Sequence, residues 1–201
     1  MLFLLSLSRW IDRINEAIGK AVSWLVLLAV LVCSLNAIVL KIAKIGSNAF
    51  LELQWYLYAA VFLLAAAYTL KKNEHVRIDV ITSHLGKRTN AWIDIFGFLF
   101  FLLPMTLVLL LYAFPYAWNS FMSQEVSSNA GGLIVWPAKL LIPIGFSLLT
   151  LQGISELIKR FAFLAGLIDS KEFEKASLNP EDEIAAIAAA NMHHIKPANP
   201  S

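Results

Sequence analysis

The chain has 201 residues, 59% of them apolar and 15% charged, with 16 Lys and Arg against 14 Asp and Glu for a formal net charge of +2. Soluble domains carry about a quarter charged residues, so an ordinary soluble domain is excluded, and so weak a net charge does not imply a nucleic-acid partner. The shortfall is uneven, because the charges lie between four uncharged blocks at residues 21–40, 53–70, 95–118 and 140–155. A helix crossing ~30 Å of hydrocarbon needs roughly 20 apolar residues, fewer if charged ends snorkel.

The opening MLFLLSLS has no basic residue before its apolar run and no small-residue cleavage pattern after it, so no cleaved targeting segment is expected. Residues 1–20 mix Leu4, Leu5, Ile11, Ile14 and Ile18 with Arg9, Asp12, Arg13 and Glu16. That pattern fits an N-terminal amphipathic interfacial helix with Trp10 at headgroup depth. It fits a helical extension of the first span equally well. The transmembrane domain is expected over 21–160, with spans at about 21–41, 51–70, 91–118 and 138–159. Cys33, the only cysteine, has no partner for an internal disulfide and reads as a small apolar residue of the first span.

Glu52 and Gln54 precede Trp55 and Tyr56 at the start of the second span, and the loop after it is charged: LKKNEHVRIDV. In that loop Val76, Ile78 and Val80 alternate with His75, Arg77 and Asp79, a period of two that predicts an extended segment. Pro104 near the middle of the third span and Pro115 nearer its end predict kinks. The loop NSFMSQEVSSNAGGLIVWP at 119–137 has no Lys or Arg and ends at Trp136, an expected interfacial anchor. Lys139 and the Lys159–Arg160 pair bracket the fourth span, and Pro143 is placed in its first turns. The tail at 161–201 carries NPEDE followed by IAAIAAA, the signature of a short Ala-rich helix start.

Near the span ends, Arg9, Arg13, Lys20, Lys71, Lys72, Arg77, Lys87, Arg88, Lys159 and Arg160 lie on one side, against Lys41, Lys44 and Lys139 on the other. The excess of positive charge places both termini in the cytoplasm. No Asp, Glu, Lys, Arg or His falls inside the four uncharged blocks, so an axial haem ligand or a buried transport carboxylate at depth is not expected. No nucleotide-binding loop or paired-cysteine motif is present in the sequence. No catalytic residue, cofactor or metal site is therefore predicted. The candidates that remain are partner-interface residues: Glu52, Gln54, Trp55, Glu74, His75, Arg77, Asp79, Asp94 and Glu156. Glu156 precedes Lys159 and Arg160 by three and four residues, which also fits a pair within one helix.

ELQWY at 52–56, the span after it and LKKNEHVRIDV at 70–80 resemble the small, DctQ-like membrane subunit of tripartite ATP-independent periplasmic (TRAP) transporters. SSNAGG at 127–132, Trp136-Pro137 and LQGISELIKR at 151–160 are similar to that family too. The resemblance implies an all-α four-span scaffold in a bacterial inner membrane, surrounded by lipid and paired with a large multi-span subunit as a heterodimer. It further implies sodium-driven uptake of an organic anion, such as a sialic acid or a dicarboxylate, delivered by a periplasmic substrate-binding protein that docks transiently. A membrane anchor for a respiratory or other enzyme complex is the alternative, and a self-contained small exporter a third reading.

Overall fold

A computed structural model of the chain describes residues 2–44, 46–72 and 86–167. The segment with Glu74, His75, Arg77 and Asp79 and the tail with its expected helix lie outside the described residues. The described chain is all-helical: α1 is Leu2–Ala43, α2 is Asn48–Lys71, α3 is Lys87–Gly97, α4 is Leu103–Met122 and α5 is Trp136–Leu164. A single π-helical turn, Phe98–Leu102, joins α3 to α4, and the three form one long candidate span, Arg88–Met122. With α1, α2 and α5 this makes four helices long and apolar enough to cross a membrane.

The distribution of side chains is the reverse of a soluble protein's. The buried apolar positions are mostly small, among them Ala29, Ala67, Ala91, Ala117 and Ala162, whereas Trp24, Phe62, Leu111 and Tyr112 are each more than 70% exposed. Small residues let helix backbones approach, and in lipid there is no penalty for turning large apolar groups outward. Several hydroxyls within the spans are satisfied by their own helices: Thr69 donates to the Ala65 carbonyl at 2.9 Å and Thr150 to that of Phe146 at 2.7 Å.

α5 is the central element and packs against α1, α2, α4 and the π turn. Two of its glycines set the spacing. A Cβ on Gly145 would lie 2.8 Å from the Leu63 backbone oxygen of α2, and one on Gly153 would lie 2.6 Å from Leu102 Cδ2 of the π turn. Beside Gly153, Leu70, Ile95, Phe98 and Leu157 form the apolar cluster joining α2, α3, the π turn and α5. The π turn lies directly ahead of Pro104, and within it the Leu103 N–H reaches the Phe98 carbonyl. Pro104 has no N–H to offer the Phe100 carbonyl and its ring crowds that oxygen, so a wider turn there relieves the clash. Pro143 lies inside α5 rather than in its first turn, a position that Pro137 occupies.

α1 runs unbroken from the arm through the first span. Its buried positions, Ser8, Ile11, Asn15, Val22 and Ala29, recur at helical spacing along one face. Gly19 on that face lets α1 lie against the Tyr68 ring of α2. Four residues separate Ala43 from Asn48, and Lys44 takes a left-handed φ of 54° to reverse the chain there.

Gly145→Val should lower the thermal melting point in detergent through overpacking of about 1–3 kcal/mol. Gly97→Ala, whose Cβ meets nothing within 4 Å, should leave the melting point unchanged or raise it. Equal effects of the two would refute the close α2–α5 contact.

Candidate functional site: polar frames at the two ends of the bundle

At the end where α2 finishes and α3 begins, charged side chains from every span meet. Glu156 and Arg160 of α5 are 6% and 4% exposed, and Gln152 and Ser155, one turn back, are fully buried. Spaced three to four apart, these residues share one face of α5. Opposite them on α1, Ser8, Asp12 and Asn15 keep the same spacing. The Ser8 hydroxyl lies 2.7 Å from that of Ser155, which lies 3.0 Å from Asp12 Oδ1. Lys159 bridges Asp12, at 3.2 Å, and Glu156.

Arg160 ties the second half of the chain in. Its Nε donates to Asp94 Oδ2 on α3 at 2.9 Å and its Nη1 to Glu156, while its guanidinium lies 4.7 Å from the centre of the Phe98 ring in the π turn. Lys71 closes α2 onto α1, donating to Glu16 Oε2 at 2.8 Å and to the Asp12 carbonyl at 3.0 Å. Glu16 also pairs with Lys20 at 2.9 Å. Four carboxylates thus meet four cations, and α1, α2, α3 and α5 are cross-linked.

The orientation of the buried amides follows from the charges. Gln152 donates its Nε2 to Asp12 at 2.9 Å and to Glu156 at 3.0 Å, because a carboxylate accepts only. Its Oε1 is thereby turned to Asn15, which donates Nδ2 at 2.7 Å. The chain of donations ends at Asn15 Oδ1, buried and without a hydrogen-bond donor among the described residues.

The opposite end is built on one carboxylate. Glu52 in the first turns of α2 is 3% exposed. Its Oε1 accepts from the Ser127 hydroxyl and, at 2.9 Å, from Asn129 Nδ2, while Oε2 accepts from the Leu133 backbone N–H. Gly132 must be glycine for this, since a Cβ there would stand 2.8 Å from Glu52 Oε1. Asn48 donates to the Ala130 carbonyl at 3.0 Å and the Tyr56 hydroxyl to that of Ile134 at 2.9 Å, so α2 holds the α4–α5 loop along its length. Within the loop, Val126 and Ile134 form the one β pairing among the described residues. Glu125 pairs with Lys139, whose ammonium also lies 4.2 Å from the Tyr116 ring centre.

The structure therefore brings Asp94 and Glu156 together through Arg160 and sets Glu52 at the other end, among its loop donors. Glu156 pairs with both Lys159 and Arg160, as its spacing allows. Gln54 is half-buried, and Trp55 is 46% exposed with its ring edge-on to Tyr56 at 4.3 Å. Sequence reasoning did not single out Asp12, Asn15, Lys71, Gln152 or Ser155, although the polar spacing 8–12–15 and 152–155–156–159 is the signal that finds them.

A family model described as "Tripartite ATP-independent periplasmic transporters, DctQ component" matches residues 50–163, more than half of the chain and nearly all of α2 to α5. No curated protein and no solved structure matches.

Arg160→Ala takes from Glu156 and Asp94 the guanidinium that they share and should cost up to about 3–5 kcal/mol, read as a loss of melting temperature in detergent. Lys20→Ala, which removes an exposed pair, should cost far less. A second outcome concerns pH. The hydrogen bond from Lys139 holds the Glu125 carboxyl below the usual carboxylate range. Its contribution is present above the ordinary value of about 4.3 and is lost as pH falls through the lower folded value. The melting-temperature gap between wild type and Glu125→Gln should close on acidification through that window, and a constant gap would count against the pairing.

Proposed function

The chain belongs to the DctQ component family of tripartite ATP-independent periplasmic transporters, and we propose that it is the small, non-catalytic scaffold subunit of a sodium-driven transporter in a bacterial inner membrane. In this reading it forms a heterodimer with a large multi-span subunit that carries sodium and an organic anion, and a periplasmic binding protein delivers the anion transiently. The family match over α2 to α5 carries the reading. The geometry supports a static part: both ends of the helix layer are cross-linked by polar contacts, and the interior between them is close-packed on glycines and alanines.

The interface candidates fall into two kinds. Glu52, Asp94 and Glu156 are committed to partners within the chain, so we assign them the role of positioning the surfaces around them. Gln54 and Trp55, together with Glu74, His75, Arg77 and Asp79 of the charged loop, are the groups proposed to touch the large subunit. The charge excess places that loop and both termini in the cytoplasm, and the Glu52-bound loop in the periplasm.

Three measurements test this reading. Tagged chain purified in mild detergent should retain a large polytopic membrane protein in near-equal amount, and uptake of a carboxylate substrate under a sodium gradient should require both. Recovery alone, or with a soluble redox subunit, would overturn it. Arg77→Glu should weaken that copurification without loss of the chain itself. In a Cys33→Ser background, Ser128→Cys should react with a membrane-impermeant maleimide added outside spheroplasts and Arg88→Cys should not; the opposite pattern would invert the topology.

A further inference from the structure

At the end where Lys71, Lys159 and Arg160 meet, the charges of α1 are not all compensated. Asp12 is neutralised by Lys159, and Glu16 by Lys71 and Lys20. Arg9 and Arg13, exposed and one turn apart, make no ion pair or hydrogen bond with any described residue. They lie on the side of α1 turned away from Ser8 and Asn15, with Trp10 beside them 60% exposed.

The setting of this face identifies its occupant. Going from Ser8 to Asn15, seven residues of α1, the partner on α5 moves only from Ser155 to Gln152, three residues. Helices running side by side would advance in step, so α1 crosses α5 obliquely here. The arm thus lies at the level of the ion network, whose paired charges belong at the polar edge of the bilayer. Leu4 and Leu7, 40% and 38% exposed, lie on other sides of the arm, Leu4 on the face of Ser8 and Ile11. Two exposed, uncompensated arginines with an exposed tryptophan beside them, at the polar end of the spans, match an anionic lipid surface. The guanidinium fork fits two phosphate oxygens at once, which a zwitterionic headgroup with its own ammonium partly screens.

We propose that Arg9 and Arg13, with Trp10, form a binding face for anionic phospholipid headgroups on the outward side of the α1 arm. The inference rests on the membrane-spanning reading of the chain and not on its pairing with a large subunit. Its role is to anchor the arm at a fixed depth, so that the network of Asp12, Glu156 and Arg160 stays at the polar edge of the bilayer.

The test uses the full chain purified alone in detergent and titrated with phosphatidylglycerol or phosphatidylcholine, with bound lipid counted by native mass spectrometry. Phosphatidylglycerol should be retained in preference, and each Arg→Gln change at 9 and 13 should weaken its binding roughly fivefold. Arg9→Lys/Arg13→Lys should keep most of the binding, and Lys41→Gln at the other end should change nothing. Melting temperatures of the variants should match wild type, since neither arginine makes an ion pair or hydrogen bond with a described residue. Undiminished phosphatidylglycerol binding by the double Gln variant, or equal retention of phosphatidylcholine, would overturn the proposal. Because no large subunit is present, a negative result leaves the subunit assignment untouched, and failure of that assignment leaves this result standing.

Discussion

A charge at the margin of a hydrocarbon layer must bring its own solvation, and in this chain the solvent is other side chains. Glu156 and Arg160 are almost wholly buried, and neither would be tolerated alone, because several kcal/mol of desolvation has to be offset for each ion. Each finds its partners on a different helix or one turn away. Meeting the electrostatic demand of α5 therefore fixes how α1 and α3 lie against it, through Asp12 and Asp94, and Lys71 ties α2 to the same stretch of α1. The packing follows: Leu70, Ile95, Phe98 and Leu157 are brought into one cluster directly beside the ions, and Gly145 and Gly153 close the remaining distance.

The two ends solve the same problem with different chemistry. One end balances charge with charge. At the other, Glu52 is held by a hydroxyl, an amide and a backbone N–H, so its negative charge is solvated without a counterion. Donors of that kind come from a loop, and the loop is ordered by the carboxylate that it solvates. Between the ends, hydroxyls fold back on their own carbonyls and helices touch through small residues, so nothing in the middle need exchange partners.

That four helices are long and apolar enough to span was legible in the sequence because hydrocarbon imposes a length and an exclusion that composition records directly. The Glu156 pairs were legible too, since spacing within one helix fixes them. Glu52 was named only as one of several partner-interface candidates, and its partners at Ser127, Asn129 and Leu133 lie some 75 to 81 residues away, a distance that no local pattern encodes. Asp12 escaped for a related reason. On an amphipathic arm an acid reads as solvated surface, and only its encounter with Lys159 and Gln152 makes it part of a core. The π turn was foreshadowed by Pro104 as a disturbance, though proline alone does not say whether a helix bends or widens.

The length of α1 has a mechanical consequence. Its 42 residues extend for ~63 Å at the standard rise, about twice the hydrocarbon thickness. At one end it is tied to α2 through a four-residue reversal, and along the way it is pinned at Gly19 against Tyr68 and at Ser8 against Ser155. Because the arm's own Asp12 and Glu16 are paired with Lys159 of α5 and Lys71 of α2, α1 cannot change its inclination independently, and a thinner or thicker bilayer must tilt the spans as one body.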